Sequence, residues 1–254
     1  MKKALISFLE FVGELTHFFL TVLKSSVTRP FYPHHFFEQV VYLGVGSLSI
    51  TLVIGLTMGL VMTLNFGHGL AKFGGTLYVP AVVGLSLARE MAPIFTSLLV
   101  AGRVGSAIAA EIGSMNVTQQ VDALRALGTS PFRVLIVPRF WALCLSLPLL
   151  SSLSCLMGFF GGLLICLYEF DISWGLYWSK VLSTVKIHDF LSGLIKSFFF
   201  AMIIATISSF QGLRTKDGTQ GVGLSTRWSV VTSSILILIS DFFLSKIFLS
   251  IWKS

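Results

Sequence analysis

The sequence predicts an all-α polytopic membrane protein, and three observations support that fold class. Of its 254 residues, 54% are hydrophobic, and the mean hydropathy is +0.87. Only 11% are charged, whereas soluble domains carry about 25% charged residues. Five apolar stretches each reach the roughly 20 residues that a helix needs to cross a bilayer. The net charge of +7 would suggest nucleic-acid binding in a soluble protein, but here it fits basic cytoplasmic loops.

The five predicted spans follow a short N-terminal segment. They cover about residues 40–64, 79–110, 134–167, 190–210 and 228–252. The second and third stretches exceed the length that a bilayer requires, which indicates tilt or extension beyond the membrane. We therefore divide the chain into an N-terminal helix, residues 1–29, and a membrane-spanning domain, residues 30–254.

Residues 1–29 are predicted to form an amphipathic helix that lies on the membrane surface. Its apolar residues recur at helical spacing: Phe8, Phe11, Val12, Leu15, Phe18, Phe19 and Val22. Glu10 and Glu14 interrupt the apolar run and no A-x-A site follows, which argues against a signal peptide. Pro30 and Pro33 are predicted to end the helix.

The distribution of basic residues predicts the orientation. With a cytoplasmic N-terminus, the inner segments hold most of the lysines and arginines, whereas the two outer loops hold only Lys72, Lys180 and Lys186. Cytoplasmic loops are enriched in basic residues. Five spans then place the C-terminus on the periplasmic side.

The cysteines and histidines predict no redox or metal site. Cys144, Cys155 and Cys166 are spaced eleven residues apart on one apolar segment, so they share a helix face but lie too far apart to pair. The five histidines form no recognisable ligand cluster. We interpret the cysteines as small packing residues.

Small residues four positions apart recur in two of the spans. Gly55 and Gly59 share a face of the first span, and Gly102, Ser106 and Ala110 share one of the second. Such faces let transmembrane helices approach closely. Packing within the chain and a dimer contact both explain the pattern.

A short cytoplasmic helix is predicted over about residues 117–128, between the second and third spans. Thr118 is a candidate N-cap and Gly128 a natural C-terminal stop. Pro131, after Ser130, restarts a helix. The spacing fits a helix that docks into another protein and fits an ordinary loop helix equally.

The segment "DALRALG", residues 122–128, is similar to the coupling loop of ABC-transporter permeases. The longer block "LAREMAPIFTSLLVAGRVGSAIAAEIGSMNVTQQVDALRALGTSPFRVLIVPRFWALCLSLPLL" resembles the MlaE (YrbE-type) permease family. These permeases belong to MCE-associated ABC systems that move phospholipids between the two membranes of a Gram-negative envelope or in plastids. "GLIKSFFFA" and "GVGLSTRWSVVTSS" extend the resemblance over about residues 40–250. Gln119-Gln120 and Leu224 depart from the family pattern.

The resemblance implies a set of partners. No GxxxxGK[ST] phosphate loop occurs in the sequence, so we expect this chain to bind no cofactor and a separate MlaF-like ATPase to use ATP–Mg. The family further implies a homodimer, an oligomeric MlaD-like MCE-domain protein and a MlaB-like STAS-domain protein. The implied location is the bacterial inner membrane, or the plastid inner envelope in a eukaryote.

In the family, the segment 111–128 sits in a groove of the ATPase. The residues that this implies for coupling are Glu111, Gly113, Asp122, Ala123, Leu124, Arg125, Gly128 and Arg133. For each charged member of this set, the alternative is a solvated surface charge.

Arg89 and Glu90 begin about ten residues inside the second span, which places them close to the bilayer centre. A charge there costs about 2.5–3.5 kcal/mol on insertion scales and normally faces a bundle interior or a wet cavity. We hypothesise that Arg89 contacts a lipid phosphate in an outward-facing cavity, while Glu90 balances its charge. A structural ion pair with other spans is the alternative. By resemblance, the cavity is walled by Leu60, Val61, Leu64, Asn65 and Phe66.

Lys196 in the fourth span and Asp241 in the fifth span are charged residues that are predicted to lie at similar depths in the membrane. Their depths allow the lysine to reach the carboxylate. We predict a structural ion pair that joins these two spans.

Two other functions fit parts of the sequence. One is an ABC permease for another hydrophobic cargo, such as a sterol or a toluene-like solvent. The other is a secondary transporter driven by an ion gradient, although the paired inverted repeats of many such transporters are not evident.

Overall fold

The computed structural model describes residues 2–27, 33–216 and 218–251, and every regular element within these ranges is a helix. The all-α prediction is confirmed. The α-helices are α1 (Lys2–Val27), α2 (Pro33–Gln39), α3 (Gly46–Ala71), α4 (Val79–Ser86), α5 (Ala92–Val100), α6 (Ser106–Val117), α7 (Gln120–Ala126), α8 (Val137–Tyr168), α9 (Trp174–Thr184), α10 (Ile187–Leu213) and α11 (Gly218–Ile251).

Short π-helical segments adjoin several of the described α-helices. Val40–Val45, Leu87–Met91 and Ala101–Gly105 each join two consecutive α-helices without a break, and Phe132–Ile136 leads directly into α8. Such segments widen one turn of a helix and occur frequently at functional sites. The segment Leu87–Met91 contains both Arg89 and Glu90.

Within the described residues, five helical stretches are long and apolar enough to cross a membrane, as the sequence predicts. They are Pro33–Ala71, Thr76–Val117, Phe132–Tyr168, Ile187–Leu213 and Gly218–Ile251. Each is longer than its predicted span because the helices continue into polar residues that a hydropathy criterion excludes. The predicted end of the fifth span, Trp252, lies outside the described residues.

The chain divides into two compact units, each built from three separate stretches. The first comprises Met1–Gly44, Val100–Leu145 and Ala201–Ile237. The second comprises Val45–Leu99, Ser146–Phe200 and Leu238–Ser254.

In the first unit, α1 packs its aromatic face against protein. The Phe18 ring lies 5.3 Å from the Phe132 ring and 5.5 Å from the Phe210 ring, measured between centroids. Val22 is fully buried, and Trp141 Nε1 donates a hydrogen bond to Ser26 Oγ at 3.0 Å. Much of the predicted membrane-facing stripe is thus occupied by intrachain packing. Among the α1 side chains that the structure describes, the large apolar ones left exposed are Ile6, Leu9, Val12 and Leu20.

The end of α6 is tied to the end of α10, also within the first unit. Asn116 Nδ2 donates hydrogen bonds to the backbone oxygens of Leu213 (3.1 Å) and Thr215 (3.0 Å). A Cβ at Gly212 would lie only 2.8 Å from Ile112 Cβ, so a side chain at this position would force the two helices apart. These contacts fix the loop that follows α10.

In the second unit, α3 and α8 cross on their small residues. A Cβ at Gly55 would overlap the Ser154 backbone, and one at Gly59 would overlap the Gly158 backbone. The spacing of Gly55 and Gly59 therefore serves packing within the chain. This close approach leaves the bulkier α3 side chains on the other faces of the helix.

Helix α9 lies in a segment that the sequence analysis interprets only as an outer loop. Tyr177 is fully buried, and its hydroxyl donates a hydrogen bond to the Phe159 carbonyl oxygen at 2.8 Å. Burial raises the pKa of the Tyr177 hydroxyl, so the group stays protonated as a donor. Tyr177 and Val181 join a hydrophobic core with residues of α4 and α8.

One predicted helix boundary is wrong and another stays a prediction. The described part of α1 stops before Pro30 and Pro33, Pro30 lies outside the described residues, and Pro33 begins α2. Thr118 ends α6, and its hydroxyl donates back to the Ser114 carbonyl at 2.9 Å. The residue before α7 is instead Gln119, which adopts a left-handed conformation (φ 59°).

Candidate functional site

Arg89 is held by a buried carboxylate in the first turn of α10. Its Nε and Nη2 atoms lie 2.6 and 2.5 Å from Asp189 Oδ1. The Asp189 side chain is 1% exposed, whereas that of Arg89 is 32% exposed. Asp189 Oδ2 also accepts the Lys186 backbone N–H at 2.9 Å, so one carboxylate both caps the helix and neutralises the arginine.

Glu90 belongs to a second cluster built around the Lys196 ammonium. Lys196 Nζ lies 2.5 Å from Glu90 Oε2 and 3.1 Å from Asp241 Oδ1, and it donates to Ser245 Oγ at 2.7 Å. Ser245 Oγ lies 3.1 and 3.2 Å from the two Glu90 carboxylate oxygens. Lys196, with 1% of its side chain exposed, thus joins three helical segments.

The two clusters differ in their balance of charged groups: Arg89 faces one carboxylate, whereas Lys196 faces two. Three carboxylates, those of Glu90, Asp189 and Asp241, face the two basic side chains of Arg89 and Lys196. His188 Nε2 lies 3.3 Å from Asp189 Oδ1 and adds a positive charge only when protonated. Because unpaired charges are costly in a membrane, this close pairing is what allows so many ionisable groups within apolar spans.

A cavity of about 330 Å³ opens beside these clusters within the second unit, within the about 300–1,000 Å³ typical of ligand sites. Its polar lining comprises Ser86, Arg89, Glu90, Ser192, Lys196 and Ser245. Its apolar lining comprises Leu85, Phe248 and Leu249. Charged and apolar walls together suit one end of an amphiphilic molecule.

The predicted α3 wall does not line this cavity. Val61, Leu64, Asn65 and Phe66 are exposed and Leu60 is half-buried. The reason is that α3 buries its small-residue face, including Gly55, Gly59, Thr63 and Gly67. The walls opposite Arg89 come from α10 and α11.

The predicted coupling residues near α7 lie mainly on its surface. Asp122 and Arg125 are exposed and form an ion pair at 2.8 Å, Ala123 is exposed, and Leu124 is half-buried. The fully buried Val121 anchors the helix. Leu127, 78% exposed, adds an apolar group at its end.

Gly128 ends α7 as the sequence predicts. It has a φ of +74°, which a glycine adopts without strain. Its N–H donates to the Arg125 carbonyl at 3.0 Å, and the Thr129 N–H donates to the Leu124 carbonyl at 3.0 Å. This Schellman pattern stops the helix sharply.

Two of the predicted coupling residues make contacts within the first unit. Glu111 Oε2 accepts a hydrogen bond from Arg139 Nη2 at 2.9 Å, and the Arg139 side chain is only 7% exposed. Gly113 is buried, and a Cβ there would lie 2.7 Å from Thr215 Oγ1. Arg133 is half-buried. The exposed part of the predicted coupling surface is therefore α7 itself.

Asp189, Ser192, Ser245 and the role of Arg139 as the partner of Glu111 are not predicted from the sequence. The signal that could have found Asp189 is that an arginine inside a membrane requires a counter-ion nearby. Ser245 follows Asp241 by four residues, so it shares a helix face with that residue. No group of three or more potential metal-ligating side chains occurs in the described part of the chain.

Comparison with known proteins identifies the family. Residues 36–247 match the family described as Permease MlaE. A probable ABC transporter permease protein of Synechocystis is 41% identical over 227 residues, or 89% of this chain and 85% of that protein. One from Rickettsia felis is 36% identical over 249 residues, or 98% of this chain and 96% of that protein.

A further relative has a more specific description. The intermembrane phospholipid transport system permease protein MlaE of Haemophilus influenzae is 38% identical over 211 residues, or 83% of this chain and 81% of that protein. The chain therefore belongs to the MlaE permease family and is a multi-pass inner-membrane permease subunit of an ABC transporter, not an enzyme itself, whose energy comes from a separate ATPase.

Proposed function

We propose that this permease moves phospholipids between the inner and outer membranes together with an MCE-domain protein. The observation that carries the proposal is the cavity whose lining combines Arg89 and Glu90 with Leu85, Phe248 and Leu249. The description of the Haemophilus relative as an intermembrane phospholipid transporter supports the choice of cargo.

Arg89 binds the lipid phosphate while Asp189 holds the guanidinium in position. A guanidinium has five N–H groups, and Asp189 accepts hydrogen bonds from only two of its three nitrogens. The remaining donors suit a phosphate, which arginine recognises through paired hydrogen bonds. Because Asp189 neutralises Arg89 when no lipid is bound, the cavity does not hold an unpaired charge.

Glu90 orders the other side of the same site. Its carboxylate is 32% exposed toward the cavity and is fixed by Lys196 and Ser245. Held in this way, it cannot swing onto Arg89 and block the phosphate. The apolar residues of the cavity then accept the glycerol and the first carbons of the acyl chains.

Helix α7 transmits the conformational change of the ATPase to the permease. Asp122, Ala123, Leu124, Arg125 and Gly128 dock in a groove of the MlaF-like ATPase, with Arg133 beside them. ATP–Mg binds to the ATPase, whose closure moves the second and third spans as rigid levers. A homodimer presents two such helices to two ATPase subunits.

The remaining partners follow the same family pattern. An oligomeric MlaD-like MCE protein exchanges lipid on the periplasmic side, and a MlaB-like STAS-domain protein associates with the ATPase. The N-terminus is cytoplasmic and the C-terminus is periplasmic, because the basic residues are concentrated on one side.

Reconstitution tests this function directly. The permease, its ATPase and its MCE partner are placed between vesicles that carry labelled phospholipid and unlabelled acceptor vesicles. We expect Arg89→Gln to reduce ATP-dependent lipid transfer at least tenfold, since it removes a charge-assisted phosphate contact worth about 1.5–3 kcal/mol. Arg103→Gln, on the same span but exposed and not among the residues that line the cavity, is the matched control and keeps normal transfer.

Two results would contradict the proposal. One is normal transfer by an Arg89→Gln variant that assembles with its partners as the unaltered protein does. The other is co-purification of a sterol or another hydrophobic cargo in place of phospholipid, as identified by mass spectrometry.

A further inference from the structure

A second and larger cavity lies in the first unit, and none of its lining residues belongs to the charged clusters. This groove has a volume of about 930 Å³ and is bounded by α1, the end of α10 and the π-helical segment Phe132–Ile136. Nothing in the proposed transport mechanism uses it.

The floor of the groove is aromatic. Phe18, Phe132 and Phe210 line it, and Phe18 packs against the other two rings with centroid distances of 5.3 and 5.5 Å. A surface of this kind binds hydrocarbon through apolar burial.

The rim of the groove is polar and carries more positive than negative charge. Arg214 and Lys216 contribute two permanent cations, Glu14 one carboxylate, and His17 a further cation when it is protonated. Arg214 Nη1 lies 2.5 Å from Glu14 Oε2, and the guanidinium carbon lies 5.1 Å from the centre of the Phe210 ring. The Arg214 side chain remains 51% exposed, so it can contact an anion without leaving Glu14.

The position of α1 favours a membrane lipid as the occupant. Ile6, Leu9 and Leu20 on this helix are 54%, 60% and 57% exposed, which is unfavourable in water and suits a helix at the membrane interface. A groove beside such a helix opens where headgroups and acyl chains meet.

We propose that this groove binds an anionic phospholipid of the inner membrane. The phosphate lies against Arg214 and Lys216, and an acyl chain covers the three aromatic rings. The site is distinct from the cavity beside Arg89, and the lipid bound there stays with the permease and joins α1 to the rest of the first unit. This inference rests on the interfacial location of α1 and does not depend on the proposed cargo.

Equilibrium lipid binding tests the inference without any transport assay. The full chain is purified in detergent and titrated with phosphatidylglycerol or phosphatidylcholine, and bound lipids are counted by native mass spectrometry. We expect tighter binding of phosphatidylglycerol. Lys216→Gln should weaken that binding about fivefold, because a basic residue near a lipid surface contributes about that factor. Lys72→Gln, which removes an exposed lysine outside the groove, should leave binding unchanged.

A second variant tests the apolar part of the groove. Gly13 lines the groove, and a Cβ built on it has no atom within 4 Å. Gly13→Phe therefore starts its side chain in open space and places a ring where we expect the lipid to bind. We expect it to remove the tightly bound phosphatidylglycerol. The control is Gly69→Phe, at a glycine with equally open surroundings outside the groove.

Photocrosslinking then locates the lipid. A photoactivatable phosphatidylglycerol should label residues 13–21 and 210–216. Labelling confined to other segments, equal affinity for both lipids, or unchanged binding in both groove variants would each overturn the proposal. The exposed side chain of Lys216 makes Lys216→Gln a substitution that leaves the fold intact, which we check by its elution volume and melting temperature.

Discussion

Two ion pairs of similar length differ sharply between the two units. In the second unit, Lys196 lies 2.5 Å from Glu90 with 1% of its side chain exposed. In the first unit, Arg125 lies 2.8 Å from Asp122, and both side chains are more than half exposed. Distance alone therefore does not distinguish a group that joins helices from one that is available to a partner.

Burial therefore determines the role of a charged side chain in this protein. Removing one member of a buried pair leaves an uncompensated charge and typically costs 3–5 kcal/mol. Removing one member of an exposed pair typically costs 0.2–1 kcal/mol, because water replaces the lost partner. We therefore expect substitutions in the buried clusters to change stability and substitutions on α7 to change association.

The largest effect is expected from Lys196→Met. This substitution leaves the Glu90 and Asp241 carboxylates facing each other without their shared cation, and we expect a loss of about 3–5 kcal/mol in folding free energy. Thermal unfolding in detergent measures it, with Lys246→Gln, an exposed lysine of α11, as the control. A melting temperature equal to that of the control would show that the cluster does not hold these helices together.

A smaller loss, about 2–3 kcal/mol, is expected from Asp189→Asn. Arg89 then loses its counter-ion, but its side chain is 32% exposed, so water screens part of the cost. Replacing both residues, Arg89→Gln with Asp189→Asn, should be less damaging than Asp189→Asn alone, because no unpaired charge remains. Additive losses in this double-mutant cycle would contradict a direct pairing of the two side chains.

The least damaging change within the buried clusters is expected to be Asp241→Asn. Lys196 keeps Glu90 as its closer partner, at 2.5 Å rather than 3.1 Å. The substitution also leaves one carboxylate facing one lysine in this cluster, in place of two carboxylates facing one lysine. We expect a loss below about 1 kcal/mol, and a melting temperature as low as that of Lys196→Met would show that Asp241 is the principal partner.

The sequence predicts the spans and the unusual charges because both contrast with their surroundings. A run of about 20 apolar residues needs no tertiary information to be recognised. Arg89, Glu90, Lys196 and Asp241 are conspicuous because each interrupts such a run. The family resemblance rests on the same long, distinctive block.

The sequence fails where a residue matches its local expectation. Asp189 lies where a span begins, a place where a charge is ordinary, so nothing local marks it as the Arg89 counter-ion. The α3 residues from Leu60 to Phe66 are apolar on several faces, and only packing on Gly55 and Gly59 decides which face is buried. Helix α9 is missed because it is too short to span a membrane.

The smallest effect on stability is expected on α7, where the effect on function should be large. Arg125→Gln removes an exposed pair, so the folding free energy should change by less than about 0.5 kcal/mol. If α7 docks on the ATPase, the same substitution weakens binding of that subunit, and it does so more at low salt because exposed charges are screened at high ionic strength.

Binding of the purified ATPase to the permease in detergent measures this effect, with Arg103→Gln as a control that keeps α7 intact. Unchanged binding by both Arg125→Gln and Asp122→Asn would show that the exposed pair is an ordinary solvated one. The buried Lys196 pair and the exposed Arg125 pair would then differ only in their contribution to stability, and α7 would have no assigned partner.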